Sequence, residues 1–175
     1  MELEVLRKDI IVNQKKGLPF IIASIIIWGL ITLVTTLNAT IQLQNLLIFC
    51  CSCPLLPLSW LVGKWLKVDI FSKENPLSQL GFLVTCNQLI YLLIVMWVYS
   101  ALPAKMLMVY AMVFGAHLLP YSWLYKSKIY LGFSIFIPIL ALVLGHVASM
   151  TSFGLVMVVV EFIFAVLLEI ELKKS

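Results

Sequence analysis

Residues 105–128 read KMLMVYAMVFGAHLLPYSWLYKSK. The stretch is an apolar helix with one histidine, His117, near its middle and a proline, Pro120, one turn later. An aromatic and basic collar follows: Tyr121, Trp123, Tyr125, Lys126 and Lys128. Aromatic rings at the headgroup level, then lysines, are how a membrane-spanning helix ends at a cytoplasmic surface.

The rest of the chain has the composition of that stretch. Hydrophobic residues make up 63% of the 175 residues and charged residues 11%, against about 45–50% and 25% in a soluble domain. A soluble fold of this length cannot hide so much apolar surface, whereas lipid removes the difficulty. Backbone groups in lipid must then be paired internally, so the spans are expected to be helices. Short segments of alternating polarity, the signature of a transmembrane barrel, are absent from the sequence. The loops are too short to hold a second domain.

The expected architecture is an all-α integral membrane protein with six transmembrane helices in one compact bundle. Residues 1–17 form a cytoplasmic interfacial helix, with Leu3, Leu6 and Ile10 on one face. Residues 18–170 are the transmembrane domain, with spans at about 18–37, 44–63, 79–101, 105–125, 129–149 and 151–170 at a rise of ~1.5 Å per residue. Residues 171–175 are a cytoplasmic tail. Span 1 carries Ser24, Trp28 and Thr32 at intervals of four, a mildly polar stripe suited to face other helices. Span 2 holds Pro54 and Pro57, each of which removes an amide donor and favours a kink. Asn75-Pro76 reads as a helix start, with Asn as N-cap and Pro in the first turn. Pro138 lies mid-way along span 5.

Orientation follows from the lysines and arginine. Arg7, Lys8, Lys15, Lys16, Lys64, Lys67, Lys73, Lys126, Lys128, Lys173 and Lys174 fall on one side of this topology and only Lys105 on the other. The positive-inside rule then puts both termini in the cytoplasm. The net charge of +4 is accounted for by orientation and implies no nucleic acid.

Depths estimated at about 1.5 Å per residue from the cytoplasmic helix ends gather several polar residues at one level. His117 comes out about 12 Å deep, Glu161 about 13–14 Å, and Asn87 and Gln88 about 12–14 Å. A carboxyl group near the bilayer centre costs about 2.5–3.5 kcal/mol on insertion scales and normally finds a partner inside the bundle. Glu161 is therefore either neutral or paired, with His117 as the expected donor and Asn87 and Gln88 completing the network. These four are the candidate ligand-binding or proton-coupling residues. Tyr110, Phe114 and Tyr121 share the face of His117 and, with mid-span Trp28, are candidates to line an aromatic-walled pocket. Ala111 and Gly115 lie on another side of span 4 and suit close helix contact. The plainer reading of the amides and the histidine is interhelical glue, worth about 0.6 kcal/mol each.

Cys50 and Cys53 have the C-x-x-C spacing of redox helices. They sit inside an apolar span without a nearby cation, so small apolar filling is the favoured reading, ahead of a redox pair or a soft-metal site such as one for Cu(I). No nucleotide, metalloprotease or nucleophile-elbow motif is present, and the sequence implies no cofactor and no metal.

The runs AMVFGAHLLPYSWLYKSK, NPLSQLGF and TCNQLIY resemble an uncharacterised family of small integral membrane proteins from Gram-positive bacteria, over nearly the whole chain. That resemblance implies a bacterial plasma membrane and carries no catalytic residue across. In size and topology alone the chain is also similar to the substrate-binding components of energy-coupling-factor vitamin transporters. Three functions follow as expectations. The first is a transporter or small-ligand-binding membrane protein with a midplane polar site, supported by prolines at matching positions in spans 2 and 5 of two inverted halves. The second is a non-catalytic partner or assembly subunit, binding a membrane protein or its own copies. The third is an intramembrane enzyme using thiol redox or His/Glu acid-base chemistry. Apart from the lipid bilayer, the expected partners are a small-molecule ligand or another membrane protein.

Overall fold

The computed structural model describes residues 2–72 and 74–174, which contain helices and no strand. Lys73, one of the lysines counted for orientation, lies outside the described residues, as do Met1 and Ser175 of the terminal segments. The helices are α1 (Leu3–Asn13), α2 (Leu18–Thr35), α3 (Ile41–Ser52), α4 (Leu55–Leu66), α5 (Pro76–Ala101), α6 (Met106–Ala116), α7 (Leu119–Leu124), α8 (Lys128–Val147) and α9 (Met150–Lys173). They make up six stretches long and apolar enough to cross a membrane: Lys15–Thr35, Ile41–Leu66, Pro76–Ala101, Pro103–Leu124, Lys128–Val147 and Met150–Lys173.

Local chemistry sets the helix starts. Asn75 Oδ1 accepts from Leu77 N at 2.9 Å, and Pro76 opens α5, as the dipeptide predicts. Ser127 and Ser149 accept from Tyr130 N and Ser152 N at 3.2 and 3.1 Å and start α8 and α9 in the same way. Proline sets the breaks. The second apolar stretch divides at Cys53–Pro54 into α3 and α4. The fourth divides at His117–Leu118 into α6 and α7, because the Pro120 ring crowds the carbonyl of Ala116 and has no N–H to offer it. Around Pro138, by contrast, α8 runs on unbroken. This overturns the expected match between interrupted spans 2 and 5: the two interrupted stretches are the second and the fourth.

The polar stripe of α2 faces α9 in antiparallel register. Thr35 Oγ1 lies 3.2 Å from Thr151 Oγ1, Thr32 abuts Gly154, where a Cβ would sit 2.5 Å from its hydroxyl oxygen, and Ser24 meets Glu161. Small residues let two backbones approach closely. The same device joins α6 to α8, where Gly115 lies against Ile137 and Pro138 and Ala111 is fully buried. Helix α2 also packs on α3 and α4, α5 leans on α6, and α8 adjoins α9. The second and third stretches do not pack extensively on each other. Two ring contacts join them, Phe49–Tyr99 at 6.4 Å and, from the loop after α4, Phe71–Phe82 at 6.5 Å.

Helix α1 folds under the bundle. Its Arg7 guanidinium stacks 4.0 Å above the Trp123 ring, and Asn75 Nδ2 donates to Leu6 O and Asp9 Oδ2 at 2.9 and 2.7 Å. Glu4 pairs with Lys126 and Arg7. The hydrogen bond from Lys126 holds its carboxyl below the usual range, with Arg7 adding to the effect. The chain then turns through three left-handed residues, Lys15, Lys16 and Gly17, with φ of 47°, 53° and 73°. Left-handed lysines cost energy, and side-chain bonds hold them here. Lys15 Nζ donates to Leu66 O at 2.9 Å, Lys16 Nζ to Glu171 Oε2 at 3.1 Å, and Tyr130 OH to Lys16 O at 2.8 Å.

Candidate functional site

A cavity of about 560 Å³ lies between α2, the α3–α4 break, α5 and the α6–α7 break. Trp28, Tyr110, Phe114 and Tyr121, the aromatic residues proposed from sequence to line a pocket, all face it, together with His117 and Gln88. Their rings form a continuous wall. Trp28 meets Tyr110 and Phe114 edge-on at 5.7 and 6.1 Å, Phe114 meets His117 at 5.6 Å, and His117 meets Tyr121 at 6.0 Å. Tyr121 stacks on Tyr125 at 5.9 Å. No Asp, Glu, Lys or Arg among the described residues lines the cavity.

The helix break explains the state of His117. Leu118 N turns back to Gly115 O at 3.1 Å and so leaves the Phe114 carbonyl, its ordinary α-helical acceptor. His117 Nδ1 donates to that carbonyl at 2.5 Å. The bond places a hydrogen on Nδ1 and leaves Nε2, in the neutral ring, as an acceptor. Nε2 has no hydrogen-bond partner among the described residues.

Glu161 is fully buried and does not meet His117. Its Oε2 lies 2.6 Å from Ser24 Oγ, and Ser24 Oγ lies 2.7 Å from Ile21 O. The expected Glu161–His117 pair is therefore corrected. The azimuth of each helix puts Glu161 on the α2 side of α9, while the imidazole is engaged by its own chain. The serine has one hydrogen for two acceptors. A carboxylic acid at Glu161 donating to Ser24, with Ser24 donating to Ile21, makes both bonds and leaves no uncompensated buried charge. No ion pair to Glu161 is formed among the described residues, and its Oε1 has no partner. Ser24 itself lines the cavity, so Glu161 sits one hydroxyl behind the wall. We expect Glu161→Gln to cost about 1 kcal/mol, since an amide keeps the Ser24 bond. Glu161→Ala, which empties the site, is expected to cost about 2–4 kcal/mol. Unfolding in mixed micelles measures both, and equal losses would contradict this arrangement.

The remaining predicted residues divide. Asn87 is exposed on the outer face of α5 and does not join the network expected of it. Its neighbour Gln88, about 100° around the helix, is half-buried and faces the cavity. Cys50 and Cys53 are free thiols on the cavity wall, as is Cys86 on α5. Cys51 does not line it. A small permeant maleimide is expected to modify Cys50, Cys53 and Cys86 faster than Cys51, read by peptide mass spectrometry on the unreduced protein. His146 lies 3.3 Å from Lys105 Nζ at the other end of the bundle. Among the described residues no group of three His, Cys, Asp or Glu is placed to hold a metal.

Several contributors to the site are not legible in the sequence. Thr85 Oγ1 and Tyr121 OH lie 2.6 Å apart, and both reach Gly81 O. Ser52 Oγ and Tyr110 OH pair at 2.7 Å and tie the α3 terminus to α6. Asn45, fully buried, donates to Pro103 O at 2.9 Å. Hydroxyls at helical spacing carry little signal in an apolar sequence, because serine and threonine also satisfy themselves on the preceding turn.

Residues 3–171 match the model of a family described as Family of unknown function (DUF7010). No curated protein and no solved structure matches the chain.

Proposed function

The chain belongs to that family, and we propose that it is an integral membrane protein whose central cavity binds a small molecule, for transport or for ligand capture. Six apolar helical stretches of 20 to 26 residues exceed or match the ~20 residues that span a hydrocarbon core. The distribution of lysine and arginine supports cytoplasmic termini, and the resemblance noted above favours a bacterial plasma membrane.

One observation carries the ligand-binding reading. A cavity of about 560 Å³, with aromatic and uncharged polar walls, lies beside two interrupted helices. Its volume is within the ~300–1,000 Å³ of ligand sites. Broken helices at membrane depth are tolerated where they line such a space. To Glu161, which reaches the cavity wall only through the Ser24 hydroxyl, we assign the coupling of a proton to what the cavity holds.

The test is a thermal-shift screen of small metabolites on the purified protein and on Cys86→Trp. Cys86 faces the cavity and its thiol has no hydrogen bond among the described residues, so an indole there fills space without breaking a network. Ligands that stabilise the parent and lose at least tenfold in affinity in the variant support the reading. If every stabilising compound acts equally on both proteins, the cavity is not the site. Single cysteines at either terminus, in a background without other cysteines, test orientation. Labelling of intact cells by an impermeant maleimide would overturn the cytoplasmic assignment.

A further inference from the structure

We infer that the cavity selects an uncharged, planar aromatic molecule carrying both a hydrogen-bond acceptor and a hydrogen-bond donor, entering sideways from the lipid phase. The inference rests on the ligand-binding reading above and names the class of ligand.

Charge is excluded by the walls. No ionisable carboxylate, ammonium or guanidinium among the described residues lines the cavity, and Glu161 is shielded from it by Ser24. An ionic ligand would lose its hydration with no counter-charge to replace it. Shape is set by the ring wall from Trp28 through Phe114 and His117 to Tyr121, which offers edges and faces to a flat guest.

Polarity follows from counting hydrogens. The Tyr110 and Ser52 hydroxyls carry two hydrogens and share one bond of 2.7 Å, so one hydrogen is left to donate. His117 Nδ1 is spent on the Phe114 carbonyl, so Nε2 is left to accept. Thr85 and Tyr121 spend their two hydrogens on each other and on Gly81 O. The aromatic wall around His117 and Tyr110 therefore presents one hydrogen to donate and the Nε2 lone pair to accept, and the Gln14, Ser78, Gln88 and Tyr125 side chains add further uncharged polar groups elsewhere on the cavity lining. A guest that answers both gains, while a hydrocarbon leaves both unpaired.

The path of entry is the loose seam between the second and third stretches. It is held by the Phe49–Tyr99 and Phe71–Phe82 contacts. Leu56, Phe82 and Leu89, along this seam, line the cavity and are also exposed outward. A neutral aromatic molecule partitions into the bilayer that this seam would face, and an ion does not.

The experiment uses four probes of one ring system: 2-naphthamide, 2-naphthoate, 2-naphthylmethylammonium and 2-methylnaphthalene. Equilibrium dialysis against the full-length protein in detergent measures each, with Cys86→Trp subtracting micelle partitioning and Leu92→Trp replacing it if the first variant does not fold. The expected result is that naphthamide binds at least tenfold more tightly than the other three. A Tyr110→Phe/Ser52→Ala double variant is expected to lose most of the amide's advantage and to leave methylnaphthalene unchanged. Naphthoate or the ammonium binding as tightly as the amide, and displaced by residue 86, would overturn the neutral class while the cavity reading stands. Methylnaphthalene equal to the amide would overturn the polar complement. No binding above the filled variant for any probe would overturn the inference. Binding by all four that neither filler alters would overturn the ligand-binding reading itself.

Discussion

Glu171→Gln is expected to lower the unfolding free energy by roughly 2–4 kcal/mol, toward the low end of what breaking a buried ion pair costs. Glu171 gathers three segments at the end of the bundle. It accepts from Lys16 Nζ at 3.1 Å, from Ser127 Oγ at 2.5 Å and from Lys128 N at 3.2 Å. The Lys16 side chain is 3% exposed and that of Glu171 23%. Removing the carboxylate strands an ammonium that water cannot reach. Removing the ammonium instead, with Lys16→Met, leaves a carboxylate that still has other donors and some solvent. Lys16→Met is therefore expected to cost less than Glu171→Gln. The double variant is expected to be more stable than Glu171→Gln alone. Denaturation of the four proteins in mixed micelles gives the cycle, and a double variant that shows simple additivity would contradict the pairing.

Gly115→Ala is expected to destabilise by roughly 1–3 kcal/mol, the range for overpacking. A Cβ at this position would lie 2.5 Å from Pro138 Cδ, 2.7 Å from Ile137 Cγ2 and 2.8 Å from Ile137 Cβ. The Pro138 ring cannot rotate away, and the Ile137 Cβ is fixed to the α8 backbone, so α6 and α8 must separate. Gly132→Ala, in α8, is the control. Nothing lies within 4 Å of a Cβ there, and alanine is favoured over glycine in a helix interior by roughly 0.5–1 kcal/mol. The two substitutions add the same methyl group with opposite expected signs. Thermal unfolding of both separates packing from helix propensity, and a neutral Gly115→Ala would mean that the α6–α8 contact is looser than described.

The candidate site was legible in part. Tyr110, Phe114, His117 and Tyr121 recur at spacings of three and four on one helix, and that periodicity alone puts them on a shared face. Mid-span Trp28 of α2 is a candidate for the same wall by its position, but which rings it meets, Tyr110 and Phe114, depends on which helix lies opposite, and nothing in a sequence records that. Depth, which is additive along a helix axis, puts Glu161 and His117 at one level. Their actual partners, Ser24 and the Phe114 carbonyl, depend on azimuth and on where the chain breaks. Asn87 and Gln88 show the limit at its narrowest. Adjacent amides at nearly the same depth, they end on different faces of α5, Asn87 exposed and Gln88 on the cavity.

Composition and short-range pattern suffice for the helical class, the six apolar stretches and the capped start at Asn75-Pro76. Each of these depends on composition or on residues close along the chain. Even the opening stretch, residues 105–128, was readable as an apolar helix ending in an aromatic and basic collar. The break at Pro120 and the bond from His117 Nδ1 to the Phe114 carbonyl are local as well, but packing decided that the broken helix lines a cavity with Trp28 and that Glu161 meets Ser24. It also decided that Lys16 and Glu171, 155 positions apart, close the end of the bundle. These outcomes depend on which helices are neighbours and at what angle each is turned, and a one-dimensional pattern of polarity does not contain that information.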